Sequence, residues 1–225
     1  MVIGGISGSA NTTTFMNCYN KGNITGKEDY RSQYVGGIIG SVSGDTVIQN
    51  SYNLGNLSGL GTGDICVGGI YGQVGNSAGD YKANTLTIQN CYNLGSLEGL
   101  VVGGIGGSAR SQSVHLRFGY NLSTNLIGTN ILGGIFGYFS NDFTEVVHNV
   151  SNVYNVDNTF FGQSTPTGST VSNTGLINTD GTFPNGTPYT DLLTALNAWV
   201  DANKATYPEL KNWVMGSNGY PTFAE

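Results

Sequence analysis

The residues of this chain best suited to chemistry are few and scattered. His115 and His148 lie 33 positions apart. Two imidazoles can share a metal ion or pass a proton, but a zinc site takes three or four ligands. Counted from the Tyr that comes after each, Tyr120 and Tyr154, the histidines are offset by five and six residues. On strands, such offsets send the two side chains to opposite faces. Arg117, Asp142, Glu145 and Asp157 are the other ionisable candidates nearby. A glycosidase or lyase groove needs such groups gathered together, and here they have no common spacing. Cys18, Cys66 and Cys91 include no pair two to four residues apart, so they read as small buried apolar residues, not zinc ligands. The threonine runs Thr12-Thr13-Thr14 and Thr85-Leu86-Thr87 do not recur elsewhere, which argues against a regular hydroxyl row. The Asn-x-Ser/Thr sequons at Asn11, Asn23, Asn56, Asn121, Asn149 and Asn185 are expected from composition. The expectation is no catalytic residue, no metal and no cofactor.

Composition points the same way. Of 225 residues, 36 are Gly and only 10% are charged, against about 25% charged in ordinary domains. Aromatics at 11% and hydrophobics at 38% suffice for a core and argue against disorder. Five Pro and no glycine triplet period exclude collagen. No apolar run reaches the roughly 18 residues of a membrane span. A net charge of −6 with no basic patch makes nucleic acid an improbable partner.

Elements that could position anything are set by repetition. A Gly-Gly-Ile phrase recurs with its first glycine at Gly4, Gly36, Gly68, Gly103 and Gly133, and its isoleucine at Ile6, Ile38, Ile70, Ile105 and Ile135. A second phrase comes after each copy: Asn17-Cys18-Tyr19-Asn20, Asn50-Ser51-Tyr52-Asn53, Asn90-Cys91-Tyr92-Asn93, Gly119-Tyr120-Asn121 and Asn152-Val153-Tyr154-Asn155. The units, about 30 residues long, hold short β-prone runs between turn residues, with no helical period. One unit cannot bury its own apolar face; stacked units can. The fold expected is therefore all-β: a right-handed parallel β-helix of about five coils, its hand taken from the rule for crossover connections.

Stacking assigns each repeated residue a place. Ile6, Ile38, Ile70, Ile105 and Ile135 would form an inward ladder. Asn20, Asn53, Asn93, Asn121 and Asn155 would hydrogen-bond along a corner and accept left-handed turn geometry. Tyr19, Tyr52, Tyr92, Tyr120 and Tyr154 would stack. Cys18 and Cys91, two coils apart at roughly 4.8 Å per coil, are too distant for a disulfide.

The repeat fades after Phe161. Residues 1–162 are expected to be solenoid, and 163–225 a degenerate last coil and then a cap. Leu192, Leu193, Leu196, Trp199 and Val200 make one helical stripe, with Thr190 as N-cap and Asp191 at the positive end of the dipole. Trp199 and Trp213, the chain's two tryptophans, belong to this segment. It is expected to close the open end of the stack, because a terminal coil exposes strand edges and core. At the other end, Met1 precedes a phrase already in mid-repeat, so the natural chain is expected to continue upstream.

The phrase Gly-Gly-Ile-x-Gly, with Asn-Ser/Cys-Tyr-Asn-x-Gly-Asn after it, resembles the GLUG-type repeats of large bacterial surface proteins, including a segment of streptococcal IgA peptidases. The likeness spans roughly residues 2–160. The ending from Trp213 to Gly219-Tyr220-Pro221-Thr222-Phe223 is similar to the segment that terminates such repeat arrays. The resemblance implies a non-catalytic module of a secreted or cell-surface bacterial protein. It would act as a spacer or as an adhesive surface for glycan or protein, with upstream domains of a longer chain as partners. It implies no proteolysis, since His-Glu-x-x-His is absent. The competing expectation is a β-helical carbohydrate-active enzyme.

Overall fold

A computed structural model describes residues 1–75, 83–140, 145–156, 160–162, 169–172, 174–178, 181–183 and 189–224. They form a parallel β-solenoid with a single helix. One sheet stacks Val2–Gly4, Ser32–Gly36, Asp64–Gly68, Leu97–Gly103 and Leu126–Gly133. A second stacks Ser7–Ala10, Ile39–Val42, Tyr71–Val74, Gly106–Ala109 and Phe136–Phe139. A third stacks Thr13–Met16, Thr46–Asn53, Thr85–Asn93, Ser113–Asn121 and His148–Asn155. Every one of these pairings is parallel and joins equivalent repeat positions, such as Val35 to Val67 to Val102.

The isoleucine ladder runs through the corner between the first two sheets. Ile38 N–H donates to Ile70 O at 3.0 Å, and Ile70 to Ile105 and Ile105 to Ile135 at 2.8 Å each. Ile38, Ile70, Ile105 and Ile135 are wholly buried, with Ile39, Ile48, Leu86, Leu116 and Phe136 in the same core. Ile6 is the exception. Its N–H bonds Ile38 O at 3.1 Å, yet it is 47% exposed, because it stands on the first coil with nothing beneath it.

The asparagine ladder is continuous and directional. Asn20 Nδ2 donates to Asn53 Oδ1, Asn53 to Asn93 and Asn93 to Asn121, each at 2.8 Å; Asn121 donates to Asn155 at 3.0 Å. Each of the first three amides also closes a local turn, as when Asn53 Nδ2 donates to Gly55 O at 2.8 Å. The two repeated phrases depend on each other here. A Cβ placed on Gly69 would lie 2.5 Å from Asn93 Cγ, and one on Gly37 would lie 2.7 Å from Asn53 Cγ. The second glycine of each pair is where the amide ladder passes.

Left-handed backbone falls on a different asparagine from the one expected. It occurs at Asn17, Asn50, Asn90 and Asn152, with φ between 48° and 57°, and not at the ladder position three residues later. The phrase thus divides its labour: the first Asn turns the chain, where Asn is among the least strained side chains, and the last one bonds between coils. Phe118 takes the turning position of the fourth coil at φ 57°.

The C-terminal segment departs from expectation most. At the stack's end Phe160 and Phe161 pack on the core, and the degenerate last coil supplies Thr170–Ser172 and Gly175–Leu176, which pair with His148–Asn155. The helix, Leu192–Asn203, and the antiparallel hairpin of Trp213–Met215 with Pro221–Phe223 lie instead along the side of the solenoid, over the tyrosine stack. Trp199 stacks on Phe118, and Trp213 sits 5.6 Å from both Tyr92 and Tyr120. The N-cap also shifts by one residue. Asp191 Oδ1 accepts from Thr194 N–H at 2.8 Å, and the Thr190 hydroxyl donates to Asp191 Oδ2 at 3.1 Å.

Candidate binding cleft

The solenoid keeps its ionisable candidates apart. His148 points inward, wholly buried, its ring stacked 4.1 Å from Phe139, and its Nδ1 accepts from Val114 N–H at 3.2 Å. That acceptor role puts the proton on Nε2, which is buried with no hydrogen-bond partner among the described residues. Burial lowers its pKa to about 4. His115 points the other way and its Nε2 meets Asn149 Nδ2 at 2.8 Å. The opposite orientation expected of the pair is present. Arg117 Nη1 donates to the Tyr207 hydroxyl at 3.0 Å. Glu145 is exposed, and Asp142 and Asp157 lie outside the described residues. Among the described residues no three His, Cys, Asp or Glu side chains could hold a metal ion.

The cysteines and threonines keep to their registers. Cys91 pairs with Ser51 and Gly119 in the third sheet; the thiols are free, and burial pushes those of Cys66 and Cys91 up to about 12. Thr14 and Thr87 share a column, but Val47 stands between them.

One charged cluster had no signal in the sequence. Arg110 Nη2 pairs with Asp64 Oδ1 at 2.6 Å, and the Tyr34 hydroxyl donates to Asp64 Oδ2 at 3.0 Å. Only the coil register brings residues this far apart together. Burial, then the Asp64 charge, raises the Tyr34 phenol to about 12.

The tyrosine column carries a cleft. Tyr19, Tyr52, Tyr92 and Tyr120 stack at 5.3, 4.8 and 4.9 Å with planes within 12°. Tyr154 keeps the register and meets Phe183 edge-on at 5.0 Å. The C-terminal segment covers the upper part of this column and is fastened by the turning asparagines. Asn50 Nδ2 donates to Glu209 O at 2.8 Å and Asn90 Nδ2 to Lys211 O at 3.0 Å. Tyr92 and Thr222 hydroxyls are 2.8 Å apart, and the Tyr120 hydroxyl donates to the Pro221 carbonyl.

The lower part stays open. Between the hairpin and the Tyr19–Tyr52 end of the column lies a cleft of about 570 Å³. Its lining includes Tyr19, Tyr52, Asn17, Asn50, Lys21 and Lys211. Tyr19 is 53% exposed, and Lys21 Nζ sits 4.9 Å from its ring centroid. Among the described residues the lining holds phenols, amides, hydroxyls and two ammonium groups, but no carboxylate, imidazole or thiol. It can therefore donate and accept hydrogen bonds and present an aromatic surface. Nothing in the sequence pointed to this cleft, because half of its lining comes from the C-terminal segment from Lys211 to Ala224. Comparison with family models, with curated proteins and with solved structures finds no match for the chain.

Proposed function

We propose that this chain is a non-catalytic, GLUG-like repeat module of a secreted bacterial surface protein, and that it works as an adhesive surface for glycan. The observation behind this reading is the tyrosine- and amide-lined cleft, whose described lining presents aromatic faces and hydrogen-bonding groups. Sugars present many hydroxyls and weakly apolar ring faces. Such a ligand suits a concave site with a few convergent polar groups beside aromatic surface. The rigid stack of coils also suits a spacer, and the two roles are compatible.

A glycan array and a reducing-sugar release assay on the same sample test the proposal. Retention of a glycan without release is the expected result. Release of reducing ends would replace it with the carbohydrate-active enzyme reading, and loss of retention on emptying the Tyr19–Tyr52 cleft would locate the site.

A further inference from the structure

We propose that the cleft takes an acidic saccharide, one whose ring carries a carboxylate or sulfate group. This inference rests on the adhesive reading and names its ligand class. The chain has only 8 Lys and Arg against 14 Asp and Glu. Two of those few cations, Lys21 and Lys211, nonetheless line one cleft.

Neither cation is neutralised. The ion pair of Arg110 with Asp64 lies on other elements, and among the described residues neither lysine has a carboxylate partner. No acidic side chain among those residues lines the cleft to cancel them. Like charges gathered without counter-charges in an otherwise acidic molecule focus a positive potential there, which concentrates an anion. Hydrogen bonds fix the main chain that carries one of them: Lys211 N–H donates to Asn50 Oδ1 at 3.3 Å, and its carbonyl accepts from Asn90 Nδ2. The other is held over the Tyr19 face by cation–π attraction.

The remaining lining defines the rest of the ligand. The buried Asn50 amide is taken up by Asn17, Asn90, Glu209 and Lys211, while Asn17 and Asn218 offer amides and Thr222 a hydroxyl. These groups match sugar hydroxyls, which donate and accept. The cleft volume falls within the ~300–1,000 Å³ of small-ligand sites, so it suits a short oligosaccharide segment. Lysines, as compact point charges without the planar fork of arginine, accept carboxylate and sulfate alike.

The test compares matched pairs on the intact chain: oligogalacturonate with its methyl ester, sialyllactose with lactose, and a sulfated with an unsulfated disaccharide. The charged member of at least one pair should bind about tenfold more tightly, a difference that high salt erases. Lys21→Gln and Lys211→Gln should each weaken that binding about two- to fivefold, the range for exposed ion pairs. Lys21 is exposed, so its variant keeps the test valid should Lys211→Gln disturb folding. Equal binding of charged and neutral members would overturn the acidic ligand and leave the adhesive reading standing, as would wild-type affinity in Lys21→Gln. Failure to bind any glycan would overturn both.

Discussion

Replacing Gly69 by Ala should remove much of this molecule's stability margin through one methyl group. Gly69 does not occupy left-handed backbone, so alanine is conformationally allowed there. The obstacle is space: the new Cβ would stand 2.5 Å from Asn93 Cγ and 2.6 Å from Asn93 Cβ, with the Gly104 carbonyl against its other side. Backbone on one side and a saturated amide on the other cannot both yield. Asn93 makes four hydrogen bonds: Nδ2 to Gly95 O at 3.1 Å and to Asn121 Oδ1 at 2.8 Å, and Oδ1 from Gly95 N–H at 3.2 Å and from Asn53 Nδ2 at 2.8 Å. Overpacking alone costs about 1–3 kcal/mol. Displacing the amide forfeits about 1 kcal/mol for each bond broken. If half of the four break, the loss is roughly 3–5 kcal/mol, out of the ~5–15 kcal/mol of a typical domain. Urea unfolding monitored by far-ultraviolet circular dichroism measures it. Gly8→Ala is the control, since its Cβ would meet nothing nearer than 3.5 Å, and it should stay within about 0.5 kcal/mol of wild type. If Gly69→Ala also stayed within about 1 kcal/mol, the amide ladder would have slack, and its pairing with the glycines would not explain the repeat.

Ile70→Asp places a carboxylate among wholly buried aliphatics; it should cost several kcal/mol, read as a lowered Tm, and a Tm within a degree or two of wild type would deny the inward register. His148, neutral in the fold with its pKa near 4, binds its proton later than in the unfolded chain as pH falls. Its contribution is complete above about pH 6.5 and is lost between there and pH 4, amounting to about 3 kcal/mol; denaturant melts should show this slope, and His148→Phe should flatten it. Amide exchange should be fastest, among the repeat strands, in residues 2–25, because the first coil has Ile6, Met16 and Tyr19 exposed and strands paired on one side only. Uniform exchange across the coils would show that the first coil is as well supported as the interior ones.

How much of this was legible depends on how local the determining physics is. The coils could be read because stacking repeats one environment: a position that must be Ile at Ile38 must be Ile again at Ile70 and Ile105, so geometry is written as periodicity. The amide ladder, and the tyrosine stack from Tyr19 to Tyr120, follow for the same reason, while Tyr154 keeps the register but meets Phe183 edge-on. What recurrence cannot encode is a contact made once. The C-terminal segment touches the tyrosine column at Trp213, Pro221 and Thr222, and no second copy of that contact exists to reveal it. The apolar helix stripe announced that a surface would be covered without saying which one. Phe118 is instructive here. It breaks the asparagine rule at the turning position at a cost in left-handed backbone strain, and its ring stacks on Trp199 of the helix. An irregularity in the repeat at this position coincides with a lateral contact. The same logic bears on the cleft. Asn50 and Asn90, which recur because they turn the chain, reuse their amides to hold the carbonyls of Glu209 and Lys211. A residue selected for the repeat thereby fixes a segment outside it, and places Lys211 with Lys21 in the lining of the cleft beside Tyr19 and Tyr52.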